Sequence, residues 1–133
     1  MGHRLILDTS VLIAWERGIT LAGLNQDEDD VAIAAITVAE LRVGALRAQN
    51  SAIARRRAAV IETLMNHVSV LEYSSATAIA HAELMAHVLN VGKPRGHHDL
   101  IIAAHAVQTG RLVVSNDSRA RFAELPGVHT LDH

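Results

Sequence analysis

Short apolar runs alternate with longer helical stretches along this chain, and that alternation restricts the fold more than any other feature. Leu5-Ile6-Leu7 reads as a buried strand ending at Asp8, and Ser10 to Arg17 as a helix stopped by Gly18. Val31 to Ile36 reads as a second strand, followed by a helix from Thr37 to about Gln49 and another from Ala52 to His67. Val68 to Glu72 predicts a third strand. Ser75 to Val91 predicts a long helix, ended by the breaker Gly92-Lys93-Pro94-Arg95-Gly96. The stretch from about His98 to Thr109 is apolar almost all round, so it is expected to be a buried helix closed by Gly110. Leu112-Val113-Val114 predicts a fourth strand, a short helix should follow Asp117, and Val128 to Leu131 is a candidate edge strand. Strands separated by helices imply a mainly parallel central sheet of four to five strands, covered on both faces: an α/β chain of three layers. With 133 residues, and no linker, repeat or low-complexity segment, residues 1–133 are expected to form a single domain.

What fills the core is equally restricted. Half of the chain is hydrophobic, yet Trp15, Tyr73 and Phe122 are its only aromatics, so the interior must be built from Ala, Val, Leu and Ile. Stacking of single-stranded bases on aromatic rings is nearly excluded for the same reason. The formal charge of −2 argues against a simple electrostatic DNA binder, although cations held by carboxylates would invert the local field. Eleven of the twelve basic residues are Arg, which suits phosphate contacts. The absence of cysteine excludes disulfides and thiolate zinc sites and suits a reducing compartment. A strand directly after the first residues and the lack of a long apolar run lead to the expectation of a soluble cytoplasmic protein with no membrane association.

Four acids stand where a strand or loop gives way to a helix. Their frames are Asp8-Thr9-Ser10-Val11-Leu12-Ile13, Glu40-Leu41-Arg42-Val43-Gly44, Asp99-Leu100-Ile101-Ile102-Ala103-Ala104 and Ser115-Asn116-Asp117. Each has a purely structural explanation. Asp8 and Asp117 can cap helices, Thr37-Val38-Ala39-Glu40 fits a capping box, and Asp99 lies in a first turn favoured by the helix dipole. Together they point elsewhere. Open α/β sheets place their sites at the carboxyl ends of strands, and four carboxylates brought into one crevice repel unless cations are present. Oxygen ligands without Cys favour Mg²⁺ or Mn²⁺ over zinc. Such an ion can activate water against a phosphodiester.

With these frames in this order, the chain resembles the PIN-domain nucleases, and specifically the VapC-type toxins of bacterial toxin–antitoxin pairs. The resemblance spans essentially the whole length. It implies a PIN-like α/β/α fold, with Asp8, Glu40, Asp99 and Asp117 as the catalytic, metal-holding acids. Ser10 and Ser115 match the family's supporting hydroxyls, and Gly44 matches its glycine after the Glu40 helix turn, where close packing is the expected reason. The sequence departs from the family where Ser115 stands in place of the commoner Thr, and where Phe122 lies further past Asp117 than the usual aromatic. The resemblance further implies a Mg²⁺- or Mn²⁺-dependent endoribonuclease that cuts structured RNA, transfer or ribosomal. It implies a homodimer, and a VapB-like antitoxin that occupies the active-site groove and carries any DNA binding.

Other features admit competing explanations. Arg42 is expected to approach the site edge as an RNA contact, ahead of Arg55-Arg56-Arg57, which can equally be an exposed helical face. Gln26 to Asp30 is expected to be a solvated turn. His98 and His105, seven apart, lack the partners of a zinc site, while His97 or His98 can cap a helix or touch substrate. A receiver domain would need paired acids near the first strand and a lysine after a late one, but the only lysine, Lys93, sits in a turn. A haloacid-dehalogenase-like phosphatase would need Asp where Ser10 stands. A housekeeping RNA-processing PIN nuclease and a non-catalytic PIN-like binding module are the remaining alternatives.

Overall fold

Strand side chains alternate between two faces, and here the alternation sorts the core into two halves. A computed structural model describes residues 2–16 and 28–131. Its elements are β1 (Arg4–Leu7), α1 (Thr9–Glu16), β2 (Asp30–Ala34), α2 (Ala35–Leu46), α3 (Ser51–Met65), β3 (Ser69–Leu71), α4 (Ser75–Val91), α5 (His97–Thr109) and β4 (Leu112–Val114), followed by 3₁₀ turns at Ser118–Ala120 and Phe122–Glu124. Leu5, Leu7, Ile33 and Val114 face Val11 and Leu12 of α1, Val38 and Leu41 of α2, and Leu64 and Met65 of α3. Ile6, Ala34 and Val113 face the other way, toward Ala80, Leu84 and Val88 of α4 and Leu100, Ile102 and Ala103 of α5. The three-layer α/β/α arrangement read from the sequence is therefore the one observed.

The four described strands form one sheet in the order β3-β2-β1-β4, and each neighbouring pair is parallel. Connections leave β1 toward β2 on one side and the chain returns to pair β4 on the other, so the crevice between β1 and β4 is the point where strand order reverses. At the amino ends of the strands the sheet is tied by Arg111. Its buried guanidinium donates to the Leu5 and Asp30 carbonyls at 3.1 and 3.0 Å and to the Asp30 carboxylate at 3.1 and 3.4 Å.

Several boundaries differ from the sequence reading. Helix α2 begins at Ala35, so Ile36 belongs to a helix and not to the preceding strand. Ala34, at the cap position before it, makes no side-chain cap, and Thr37 is a buried third residue instead of a cap, so Glu40 is not part of a capping box. Asp29 and Asp30 do not belong to a solvated turn: Asp29 accepts from the His3 amide at 2.8 Å, and Asp30 is the Arg111 partner in β2. The segment from Val128 adds only a parallel bridge, Thr130 to Val113, in place of a strand. Gly127, at φ 76°, turns the chain immediately before it and leaves little length in register. The predicted stop at Gly18 and the start of the acidic stretch at Gln26 lie outside the described residues.

Candidate active site

Asp8 ends β1 and is buried, and three donors fix its carboxylate. The Thr9 amide donates to Oδ1 at 2.8 Å, while the Ser10 and Ser115 hydroxyls donate to Oδ2 at 2.9 and 2.7 Å. Each serine also accepts a backbone amide from the turn after β4: Ser10 from Asn116 at 3.0 Å and Ser115 from Asp117 at 3.0 Å. The two hydroxyls thus weld the ends of β1 and β4 together. Asp117 caps the 3₁₀ turn that follows, accepting from the Arg119 amide at 3.0 Å. Asp117 therefore fills the capping position expected of it, whereas Asp8 takes only the adjacent Thr9 amide, and the charges of both act on Asp99.

Glu40 enters from α2 and is held at both oxygens. The Thr9 hydroxyl donates to Oε1 at 3.0 Å, and His98 Nδ1 lies 2.8 Å from Oε2. Asp99 follows His98 in the first turn of α5, and among the described residues none donates a hydrogen bond to its carboxylate. Burial first, then the charges of Asp8, Asp117 and Glu40, hold the Asp99 carboxyl above the ordinary carboxylate range, while His98 acts in the opposite sense. One acid thus senses the other three. Among the described residues, no three acidic or histidine side chains are arranged to share an ion directly.

The structure brings Asp8, Glu40, Asp99, Asp117, Ser10 and Ser115 into this neighbourhood, and it places the arginines differently from the sequence reading. Arg42 turns away to Glu62 of α3, at 2.9 Å. Arg56 and Arg57 instead line a cleft of about 270 Å³ whose wall includes Thr9 and Glu40. The same cleft corrects the reading of Gly44: a Cβ there would meet nothing within 4 Å, so close packing is not its reason. Thr9 was missed in the sequence, although a hydroxyl directly after an acid at a strand end is a legible signal. Arg95 was missed too, because both of its hydrogen-bond partners are backbone carbonyls.

Comparison with known proteins decides the family. The model of the PIN domain matches residues 5–128. The chain belongs to the PIN domain family. Within it, the chain is VapC-type. It is 32% identical over 108 residues to a protein of Shigella flexneri named tRNA(fMet)-specific endonuclease VapC, covering 81% of this chain and 79% of that one. Among solved structures, DNA-bound VapBC from Salmonella typhimurium aligns with a TM-score of 0.84 at 30% identity, over 98% of both chains. VapBC-5 of Mycobacterium tuberculosis, a member of the VapBC family of toxin–antitoxin systems, aligns at 0.77 and 28% identity, over 98% of this chain and 99% of its own. The PIN match takes in all four acids and both serines, from the end of β1 to the turn after β4.

Proposed function

We propose that this chain is a divalent-metal-dependent endoribonuclease, the toxin of a type II toxin–antitoxin pair, which cleaves structured RNA of the transfer or ribosomal kind. The observation that carries the reading is Asp99, partly buried in the first turn of α5 among the charges of Asp8, Asp117 and Glu40. The names of its relatives, an endonuclease and toxin–antitoxin proteins, support it.

The donor set fits Mg²⁺ or Mn²⁺: it is all carboxylate oxygen, and its charges strain one another in the absence of a cation. Because no three of the described acids or histidines are arranged to share an ion directly, an ion that keeps several of its waters suits the site. Asp8, Glu40, Asp99 and Asp117 would hold it. The chemistry such an ion supplies when bound is neutralisation of carboxylate and phosphate charge, together with acidification of water. The chain's own contribution is placement. The Thr9 amide and two serine hydroxyls fix Asp8, and Thr9 and His98 fix Glu40, so neither carboxylate must reorganise when a phosphodiester arrives. Asp99, raised by burial and by its acidic neighbours, holds its proton more firmly than an ordinary carboxyl.

The cleft beside Glu40 suits a VapB-like antitoxin segment. Leu12, Ile13, Leu41 and Val60 offer an apolar wall, Arg56 and Arg57 a basic rim, and Glu40 an acidic end within reach of a basic side chain. DNA contact would come only through that antitoxin, and the toxin itself would be a homodimer. The test is incubation of total cellular RNA with the purified chain in Mg²⁺ or Mn²⁺, in chelator, and with Asp8→Asn. Discrete metal-dependent fragments, lost by at least about a hundredfold in Asp8→Asn, are expected. Equal cleavage by the variant would sink the assignment.

A further inference from the structure

A second cleft, of about 480 Å³, opens beside Asp117, within the roughly 300–1,000 Å³ range of small-molecule pockets. Val113 and Phe122 form its apolar floor, and Asn116, Ser118, Thr130 and Arg121 supply polar atoms around it. Arg121 is also the one non-glycine residue described with a left-handed backbone, at φ 48° and ψ 48°. Glycine would adopt that conformation freely, whereas a long side chain there is disfavoured and persists only when its surroundings impose it.

Arg95 imposes it. Its side chain, 5% exposed, comes from the turn leading into α5 and donates through Nη1 to the Ala120 carbonyl and, at 2.9 Å, to the Arg121 carbonyl. Its other terminal nitrogen lies 3.9 Å from Glu124. A buried cation therefore grips the backbone on both sides of the strained residue. The loop that delivers Asp99 and the turn that follows Asp117 are joined at this point.

We propose that this cleft binds one ribonucleotide flanking the scissile phosphate, with the Arg121 guanidinium laid against the base, and that Arg95 is a positioning residue holding Arg121 for that contact. The inference rests on the nuclease reading and adds a substrate subsite to it. Arg planes substitute for aromatic rings in stacking on unpaired bases, which this aromatic-poor chain requires. Hydroxyls at Ser118 and Thr130 are suited to a ribose 2′-hydroxyl, the group that separates RNA from DNA.

Arg121→Gly separates this role from a structural one, because glycine relieves the backbone while deleting the guanidinium. In the Asp8→Asn background with Mg²⁺, a labelled short single-stranded oligoribonucleotide and its 2′-deoxy counterpart are titrated, and Tm is measured on the same samples. Arg121→Gly should keep or raise Tm, weaken RNA binding by at least about fivefold, and shrink the preference for RNA over DNA. Arg95→Met should weaken binding likewise, with partial rescue by Arg95→Lys. Unchanged affinity in Arg121→Gly, or a loss that only follows falling Tm, overturns the proposal. RNA cleavage by the otherwise unaltered chain distinguishes the failures. Cleavage with KM unmoved by Arg121→Gly removes the subsite and leaves the nuclease, whereas neither cleavage nor binding by the parent removes both.

Discussion

Asp99 shows how much chemistry one carboxyl can report. Its proton affinity is raised in the folded chain, so the unfolded chain releases that proton more easily. The metal-free fold therefore loses stability as pH rises through the folded-state value. Asp99→Asn should raise Tm in chelator by a few degrees, while abolishing the Tm increase that Mg²⁺ gives the parent. A lower Tm in chelator would mean that the carboxylate is structurally needed. At this scale the sequence was legible wherever partners are close in the chain: Asp8 with Ser10, and Ser115 with Asp117. Glu40 was harder to place, because its two holders, Thr9 and His98, come from other helices and capping by Thr37 is a local pattern that fits equally well. Arg95 was illegible, since its partners are backbone carbonyls 25 and 26 positions away.

Helix α2 carries the clearest element-scale consequence. Gly44 sits inside it with open space where a Cβ would go, and the cleft beside Glu40 is wider for its absence. Gly44→Ala should stabilise the chain by up to about 1 kcal/mol, because glycine is the poorer helix former, and should weaken whatever the cleft receives. Thermal unfolding and antitoxin affinity would then move in opposite directions; a destabilised variant would show that the backbone there is not ordinary helix. Elements with strong periodicity were readable: α4 was predicted with its observed ends, and α5 to within about one residue. The ends that moved lack local punctuation. Nothing in Ala34-Ala35-Ile36 separates a strand residue from a helical one, and tertiary packing decides where α2 starts.

Across the whole molecule, the layer formed by α4 and α5 has a pH dependence of its own. His81 and His105 are buried there, Tyr73 Oη lies 2.8 Å from His81 Nδ1, and His81 Nε2 has no hydrogen-bond partner among the described residues. Burial lowers the proton affinity of both imidazoles, and His97 lowers that of His81 further. A base depressed on folding contributes stability that is present above its unfolded value, about 6.5, and is lost as pH falls toward the folded one. Tm should therefore hold above that value and drop below it, with a shallower drop in His105→Leu; a flat profile in the parent would refute the assignment. The layer itself was foreseeable from the apolar stretch of α5, but the gathering of His81 and His105 around Tyr73 was not, because the three lie 8 and 24 positions apart and meet only when α4 and α5 pack together. The placement of β4 has a consequence in time. Ser115 reaches Asp8 across 107 positions, and the strand pair β1–β4 closes only when both ends are present. A nascent chain holding Asp8, Glu40 and Asp99 but not yet Asp117 has no welded crevice. If the chain cuts the RNA of the translation machinery, the ribosome making it is spared until its own work is almost done.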